Sequence, residues 1–389
     1  MPRFLTVQPV ADGGGSEHAL IAMLAQLRTA GWECHVVVPY RPELLESYES
    51  VAVVHVVPME RLTTSGSASR WARYAAGWPL SVLRIARLCR SLDVDVVHSN
   101  SLHCWYGWAA AALARRPHVW HAREIVFQSR AALTLEKWLA ARFSDTVIAV
   151  SRTVADQLDP GNVVLFTDEA NPEVFRPGRA GRFREPAGIQ DTTPLVGSVA
   201  RIDTWKGFDT LLDAMELMKA RCPEMELLIA GRPVEGKEGY AEALEERARS
   251  MPGVHWLGPR DDVPDLMADL DVFVQVSSEP EPFGLVVVEA LASGVPVVAG
   301  DSGGPLEILG SEAMAPSTSP LGALVPPGDP AALADAVLRL LRDRAADTAG
   351  RCARTSLRRA EPADIDALMR RVVDGHRQAF RRRARGGRS

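Results

Sequence analysis

Two glutamates, Glu281 and Glu289, stand eight positions apart in the segment Glu-Pro-Phe-Gly-Leu-Val-Val-Val-Glu. The apolar run between them predicts a helix over 284–293, which ends at Ser293-Gly294-Val295-Pro296. The first backbone N–H groups of such a helix point toward the loop that carries Glu281, so this helix end can bind an anion. One carboxylate can then accept hydrogen bonds from sugar hydroxyls and the other from a ribose, with a diphosphate between them.

Two glutamates at this spacing are a weak signal alone, because an exposed glutamate on a helix is usually only solvated. The neighbouring residues make the pattern specific: Pro282-Phe283-Gly284, the run Glu289-Ala-Leu-Ala-Ser-Gly-Val-Pro-Val-Val-Ala, and Gly303-Gly304-Pro-Leu-Glu307-Ile. Together they resemble the E-x7-E signature of retaining GT-B glycosyltransferases, in particular glycosyltransferase family 4. The resemblance implies that Glu281 contacts the distal hydroxyls of the donor sugar and Glu289 the ribose. It also places three further residues at the donor: Phe283, Gly284 and Leu285.

The amino-acid composition is typical of a globular enzyme. The chain has 389 residues, which is more than one domain core usually contains and therefore favours two domains. Of these residues 47% are hydrophobic and 24% are charged, which is typical of globular proteins. A net charge of −5 gives no general attraction to nucleic acid. The five cysteines are scattered along the sequence and form no C-x-x-C motif. This pattern predicts a protein of a reducing compartment, and it predicts no zinc site. Because no signal peptide or membrane-length apolar run is present, we expect a cytoplasmic protein, with attachment to the inner membrane face left open.

Short β-branched runs alternate with amphipathic stretches, which is typical of parallel sheets with crossover helices. In the first half the predicted strands are 4–7, 34–38, 51–56, 94–98, 118–121 and 146–150, and the predicted helices are 16–30, 79–92, 104–115 and 131–143. In the second half the predicted strands are 195–200, 226–230, 254–257, 272–276 and 295–299, and the predicted helices are 207–220, 239–250 and 284–293.

This alternation predicts an α/β fold of the GT-B class, with two Rossmann-like domains facing across a cleft. We expect an acceptor-binding domain over 1–175, a linker over 176–194 and a donor-binding domain over 195–361. The linker is placed where proline and glycine accumulate without periodicity. In the resembled family the last helix, here 362–389, crosses back onto the first domain.

A glycine-rich loop, Asp12-Gly13-Gly14-Gly15-Ser16-Glu17, directly follows the first predicted strand. Glycines let the backbone approach a phosphate closely, and a helix begins at this loop. The loop is neither a Walker motif nor the spaced G-x-G-x-x-G of dinucleotide folds. It resembles the Gly-Gly-x-Glu loop of the family, which implies that Gly14 and Gly15 assist diphosphate binding from the first domain.

Arg201 and Lys206 lie in the segment Gly197-Ser-Val-Ala-Arg-Ile-Asp-Thr-Trp-Lys-Gly-Phe, at the end of a second-domain strand. Arginine offers a bidentate fork to a phosphate and lysine a compact charge, so together they can stabilise a leaving nucleoside diphosphate. Isolated, they would more often be surface charges. The whole string resembles the diphosphate-binding segment of the family, and this pair explains how the reaction proceeds without a metal.

His121 ends a first-domain strand, in the run Val-Trp-His-Ala-Arg-Glu. The carboxyl end of a parallel strand is the usual ligand face of an open α/β sheet. In the resembled family a histidine here lies beside the donor sugar, whereas His98 and His103 are interpreted as structural. The segment beginning Asn171-Pro172 matches a family segment with Pro172 in place of its glycine, which leaves the role of Asn171 open.

Two Asp-x-Asp pairs, Asp93/Asp95 and Asp269/Asp271, resemble the metal motif of the other major glycosyltransferase fold. Each stands immediately before an apolar strand, where aspartates commonly cap a helix or open a strand. We therefore interpret both as structural and predict no metal site.

The sequence thus predicts a retaining, metal-independent hexosyltransferase without a cofactor. The donor is a nucleoside-diphosphate sugar, with a UDP-sugar favoured, and the acceptor is a hydroxyl of a glycan, glycolipid or small glycoside. Catalytic roles fall to His121, Arg201, Lys206 and Glu281. Alternatives are a nucleotide-sugar 2-epimerase, which needs a further acid/base set, a phosphorylase-like enzyme, which needs a pyridoxal lysine and a far longer chain, and a non-catalytic binder of sugar nucleotides.

The segment from Arg70 to Arg90 mixes arginines with aromatic residues and an apolar stripe. Basic amphipathic helices of this kind can lie on anionic lipid, and the arginines of 381–385 add charge. We favour the alternative, a helix packed on the first domain, with solvated arginines and with Trp71 and Trp78 lining an acceptor site.

Overall fold

The computed structural model describes residues 1–61, 68–127, 129–158, 161–178, 182–313, 322–346 and 364–386. Its contacts divide the chain into two compact units: Met1–Asp168 with Ala360–Ser389, and Glu169–Arg359. Among the described residues, no helix is long and apolar enough to cross a membrane.

The first unit is built on a seven-stranded sheet in which every pairing is parallel. Its strands are β1 Arg3–Val7, β2 Glu33–Val38, β3 Val53–Val56, β4 Val96–Ser99, β5 His118–Ala122, β6 Thr146–Ala149 and β7 Val163–Leu165. Their order in the sheet is β3-β2-β1-β4-β5-β6-β7. The central strands are buried on both faces, which is why they are almost continuous apolar runs.

Six helices connect these strands: α1 Gly15–Thr29, α2 Leu45–Val51, α3 Ala68–Ser91, α4 Trp105–Ala114, α5 Arg130–Phe143 and α6 Arg152–Asp156. One core lies under α1 and contains Phe4, Leu20 and Val96. A second core lies under α3 and α4 and contains Leu5, Ile85 and Ala110. Alternate residues of β1 point into the two cores, as the period of a strand requires.

The second unit contains a six-stranded parallel sheet of order β10-β9-β8-β11-β12-β13. The strands are β8 Leu195–Val199, β9 Glu226–Ala230, β10 Val254–Gly258, β11 Val272–Gln275, β12 Val297–Gly300 and β13 Gly322–Val325. The helices are α7 Phe208–Arg221, α8 Glu238–Ser250, α9 Val263–Asp269, α10 Leu285–Ala292, α11 Gly304–Ala313 and α12 Pro330–Ala346.

The last helix, α13 Ile365–Gly386, packs in the first unit. Its residues Leu368, Met369 and Val372 are buried in the core under α1, where the sequence analysis expects this helix. Positions 362, 363 and 387–389 of the predicted segment lie outside the described residues.

The segment predicted as a linker packs on the second unit. Arg184 is 7% exposed and donates to the backbone oxygen of Asp269 and to the carboxylate of Asp271. Ile189 is buried in the same core as Leu195. The described part of 176–194 is therefore packed against the second unit. The boundary between the two units lies between Asp168 and Glu169. Residues 179–181 of the segment lie outside the described residues.

Candidate functional site

In both sheets the order in which successive strands are added reverses beside a central strand. In the first unit β1 lies between β2 and β4, and in the second unit β8 lies between β9 and β11. Ligands of open α/β sheets bind outside the carboxyl ends of the strands at such a switch point. The glycine-rich loop follows β1, and the loop that carries Lys206 follows β8. Each unit thus presents one of the predicted loops at the expected place.

Lys206 and Glu281 form a close ion pair in the second unit. The distance from Lys206 Nζ to Glu281 Oε2 is 2.6 Å, and the two side chains are only 11% and 14% exposed. Gln275 Nε2 at 3.0 Å and Ser277 Oγ at 3.1 Å donate to the same oxygen. Three donors converge on Oε2, so Oε1 of Glu281 is the oxygen left for a ligand. The ammonium also lies 4.0 Å from the centre of the Trp205 ring.

Gly207 fixes the loop that carries Lys206. It is the N-cap of α7 and has a φ of 76°, a conformation that glycine adopts without strain. A Cβ at this position would lie 1.9 Å from the backbone oxygen of Val276. The backbone N–H of Ser278 donates to the oxygen of Trp205 at 2.8 Å. The loops after β8 and β11 are therefore in direct backbone contact, which brings Lys206 to Glu281.

The loop of Glu281 is held from its other side by the start of α11. The backbone N–H of Gly304 donates to the oxygen of Glu281 at 2.8 Å, and a Cβ at Gly303 would lie 2.1 Å from that oxygen. Gly284 is the N-cap of α10 with a φ of 90°, which confirms the predicted helix start. Because the first N–H groups of a helix lack intrahelical partners, the start of α10 presents backbone donors next to the loop of Glu281.

The remaining predicted donor residues of the second unit lie in the same two loops and in α10. Phe283 is buried, whereas Leu285, the first residue of α10, is half-buried. Glu289 is half-buried in the second turn of α10. Arg201 follows β8 and is exposed, and among the described residues it has no ion-pair partner. The second unit therefore positions Lys206 and Glu281 tightly and leaves Arg201 free to reorient.

Glu17 organises the glycine-rich loop of the first unit. Its Oε2 accepts hydrogen bonds from the backbone N–H of Gly13 at 2.7 Å and of Gly14 at 3.3 Å, and Tyr48 donates to its Oε1 at 3.1 Å. The Gly14 N–H is thus engaged by Glu17 within the loop, and the prediction that Gly14 and Gly15 assist diphosphate binding stays a prediction. Gly15 begins α1, and a Cβ there would meet no atom within 4 Å, so a ligand has room at Gly15.

The Glu17 carboxyl should make the stability of the first unit depend on pH. Burial raises the pKa of Glu17 from 4.5 to about 7. Between pH 4.5 and pH 7 the folded state therefore retains a proton that the unfolded state has released, so stability falls as pH rises through this window. The loss for this group is at most about 3 kcal/mol.

Urea unfolding of the wild type and of Glu17→Gln between pH 4.5 and 8 measures this loss. The stability of the wild type relative to Glu17→Gln should decrease as pH rises and level off above pH 7. Glu46→Gln, which removes an exposed carboxyl of α2, is the matched control and should show no such trend. A pH-independent difference between the wild type and Glu17→Gln would contradict the assignment.

His121 lies at the carboxyl end of β5, as predicted, but it is fully buried. Its Nδ1 is 3.3 Å from His98 Nε2, and His98 Nδ1 is 2.8 Å from Thr6 Oγ1. Burial, followed by the charge of Arg123, holds the pKa of His121 well below its usual range, so the ring is neutral. Nε2 of His121 is buried and has no hydrogen-bond partner among the described residues.

His98 and His103, interpreted as structural, are both held by protein groups. His98 is held by Thr6 and His121. Burial alone would lower the pKa of His103, but the hydrogen bond to Glu136 at 2.7 Å raises it to about 9. The described contacts therefore agree with the structural interpretation.

Some polar residues of the two sites were missed by the sequence analysis. Gln275 ends β11, Ser277 follows in the next loop, and both hold Glu281; polar residues at the carboxyl end of a buried strand were the available signal. Arg123 is buried, donates to Asn100 and Asp168 at 2.7 Å each, and keeps Nη2 without a partner. Its position two residues after His121 was the corresponding signal in the first unit.

The Asp-x-Asp pairs hold the fold together. Asp95 accepts the backbone N–H of Arg3 at 2.9 Å, and Asp271 accepts that of Leu195 at 2.8 Å. Asp269 accepts the backbone N–H of Phe183 at 2.7 Å. These contacts agree with the structural interpretation of both pairs. Within the described part of the chain, no group of three or more histidine, cysteine, aspartate or glutamate side chains is placed to hold a metal ion.

Comparison with known proteins adds independent evidence. A sequence model of glycosyltransferase family 4 matches residues 13–162, and a model of glycosyl transferases group 1 matches residues 180–358. The chain is 28% identical to the D-inositol 3-phosphate glycosyltransferase of Corynebacterium diphtheriae, over 85% of this chain and 82% of the relative. It is 29% identical to the lipopolysaccharide core biosynthesis mannosyltransferase LpsB of Rhizobium meliloti, over 87% of this chain and 99% of the relative.

The same fold occurs in Anabaena Alr3699/HepE, whose structure was solved in complex with UDP-glucose. The TM-score is 0.75 at 22% identity, and the match covers 99% of this chain and 100% of the other. Two parallel α/β units of these strand orders form the GT-B fold predicted from the sequence. The chain is a glycosyltransferase, whose first part matches glycosyltransferase family 4 and whose second part matches glycosyl transferases group 1.

Proposed function

We propose that the protein transfers a hexosyl unit from a UDP-sugar to a hydroxyl acceptor, with retention of anomeric configuration and without a metal. The observation that carries this proposal is the convergence of Lys206, Gln275 and Ser277 on one oxygen of Glu281 beside the N-terminus of α10. It places a cation, a helix end and a carboxylate oxygen, Oε1, for which the described residues provide no donor, next to one another. The structure of Alr3699/HepE with UDP-glucose supports the choice of donor.

In this proposal the cations act on the leaving group. Lys206 and Arg201 neutralise the diphosphate, which is held at the helix end of α10 and approached by the Gly15 backbone. Oε1 of Glu281 accepts a distal hydroxyl of the sugar, Glu289 binds the ribose, and Phe283, Gly284 and Leu285 line the donor. His121, which is neutral, lies beside the sugar near the reacting carbon, and its buried Nε2 can contact the sugar only after the residues that cover it move.

The reaction breaks the bond between the anomeric carbon and the diphosphate oxygen and forms a bond to the acceptor oxygen. The proposal places both oxygens on the same face of the sugar, and the acceptor proton passes to the leaving phosphate. The family of the chain supports this route. The acceptor is a hydroxyl of a glycan, glycolipid or small glycoside. The names of two relatives point to different hydroxyl compounds: lipopolysaccharide core, which is a glycolipid, and inositol phosphate, which is a small polyol phosphate.

Incubation with labelled UDP-glucose and an acceptor panel tests the function. Transfer produces UDP and a glycoside whose anomeric configuration, measured by NMR, equals that of the donor, and EDTA leaves the rate unchanged. An inverted product, or full loss of activity with EDTA, would contradict retention or metal independence respectively. Isomerised donor without transfer would indicate an epimerase, and unchanged bound donor a non-catalytic binder.

The two glutamates should differ in the ligand that they bind. Glu289→Gln should weaken both UDP and UDP-glucose about tenfold, because the ribose belongs to both ligands. Glu281→Gln should weaken UDP-glucose by a similar factor and leave UDP unchanged, because only the intact donor carries the sugar. Titration calorimetry with both ligands measures this. Equal effects of both variants on both ligands would refute the assignment.

A further inference from the structure

Helix α3 presents a basic face without any acidic residue. Its 24 residues include five arginines and no aspartate or glutamate. The prediction of a helix over 79–92 was too short, since α3 begins at Ala68 and Pro79 lies inside it. Its outward side chains recur at helical spacing and are exposed: Arg73, Leu80, Leu83, Arg84, Arg87 and Arg90. Leu80 is 49% and Leu83 43% exposed between these arginines, which is unusual for leucine.

The neighbouring helices extend this face. On α5, Leu135 is 43% and Trp138 57% exposed, and Arg142 is exposed one turn from Trp138. The exposed Leu113 of α4 adds to them. The single acidic residue of α4 and α5 is Glu136, which is buried against His103 and does not reach the surface.

A chain of ring contacts joins the three helices. Trp78 of α3 lies 6.2 Å from Trp108 of α4, and Trp108 stacks on Phe143 of α5 at 4.4 Å. Phe143 in turn contacts Trp138 at 5.8 Å. Trp78 is thus half-buried between helices, whereas Trp71 is 43% exposed, and the prediction that both line an acceptor site stays a prediction. We call the outward surface of α3, α4 and α5 the α3–α5 face.

The positive charge of this face is largely uncompensated. Arg73 has a solvent-exposed pair with Glu60 at 3.3 Å, and Arg90 donates to the backbone oxygen of Leu113. Arg84 and Arg87 have no carboxylate partner among the described residues. The whole chain has a net charge of −5, so this concentration of arginines is a local feature. The side chains of residues 380–389, which include the tail arginines, lie outside the described part.

We propose that the α3–α5 face docks on an anionic lipid bilayer. Arginine guanidinium groups bind lipid phosphates, while leucine and tryptophan side chains enter the interfacial region, where tryptophan is favoured. An acidic partner that binds through charge alone would leave Leu80, Leu83 and Trp138 exposed, whereas a bilayer would bury them. This docking goes beyond sugar transfer, and it would bring a lipid-linked acceptor to the enzyme.

Vesicle co-sedimentation tests this proposal. The full chain should bind vesicles of mixed phosphatidylglycerol and phosphatidylcholine at low salt, bind less at high salt, and bind phosphatidylcholine alone weakly. Arg84→Ala with Arg87→Ala should reduce binding to the anionic vesicles about 10- to 30-fold, since each basic residue near an anionic surface adds about 1 kcal/mol. Trp138→Ala should reduce it several-fold at both salt concentrations, because its contribution is apolar.

The matched control is Arg339→Ala with Arg342→Ala, which removes two exposed arginines at the same spacing from α12 of the second unit. This control should bind vesicles like the wild type. Absence of binding at low salt, or equal losses in both double variants, would overturn the proposal. Stronger binding to a single-stranded oligonucleotide than to vesicles would also overturn it. Calorimetry with UDP-glucose should give wild-type affinity for all these variants, so a failure of docking is distinguishable from a failure of the proposed sugar transfer.

Discussion

Replacing Lys206 with alanine should reduce kcat by about two to three orders of magnitude, which is typical for the loss of a preorganised charge at a leaving group. Lys206 is 11% exposed and is held by Glu281 and the Trp205 ring, so its ammonium needs little reorganisation when the diphosphate departs. No described side chain replaces it at that position. The effect should appear in kcat more than in the dissociation constant of UDP-glucose, because the charge on the leaving oxygen develops in the transition state.

Steady-state kinetics and calorimetry with UDP-glucose separate these quantities. The matched control is Lys219→Ala, which removes a partly exposed lysine from the last turn of α7, near Glu226. This variant should retain wild-type turnover. Near-normal turnover in Lys206→Ala would show that the Lys206–Glu281 pair is a structural contact, and the leaving group would then need another cation.

The order of strands and helices followed from sequence because buried parallel strands are short β-branched runs. The predicted strands 226–230 and 118–121 agree with β9 and β5 to within one residue. In the first half of the chain, the predicted element bounds were wrong where one sequence signal conflicted with another. Val51 ends α2, although it extends the β-branched run of β3, and Pro79 suggested a helix start although α3 continues through it. Proline usually ends a helix, but tertiary packing of α3 on the sheet outweighs this preference.

The contacts within the site were less predictable than its residues. Lys206 and Glu281 are 75 positions apart, and they meet only because β8 and β11 are neighbours and their loops touch through Gly207. No local pattern encodes such a distance. By contrast, the use of the Gly14 N–H by Glu17 is a local feature, since a glutamate at the third helical position commonly turns back to the N-cap backbone. This rule would have assigned Glu17 to the loop from sequence alone.

Gly207→Ala should impair both folding and catalysis, because two separate strains arise at this position. Any residue with a side chain loses about 1 kcal/mol or more at a positive φ. In addition, the new Cβ would lie 1.9 Å from the Val276 oxygen, so the loops after β8 and β11 must separate. We expect an unfolding free energy lower by about 3 kcal/mol or more. A displacement of about 1 Å at Lys206 would also reduce kcat about a hundredfold.

Gly236→Ala is the matched control, because Gly236 has a similar φ of 81° but no atom within 4 Å of the new Cβ. It should lose only the conformational part, about 1 kcal/mol, and keep wild-type turnover. Urea unfolding gives the stabilities, and kcat is measured at a temperature where both variants are folded by circular dichroism. If the two variants lose equal stability and both retain activity, the contact of Gly207 with Val276 does not hold Lys206 in place. A larger loss in Gly207→Ala alone means that the ion pair depends on the close approach of these two backbone loops.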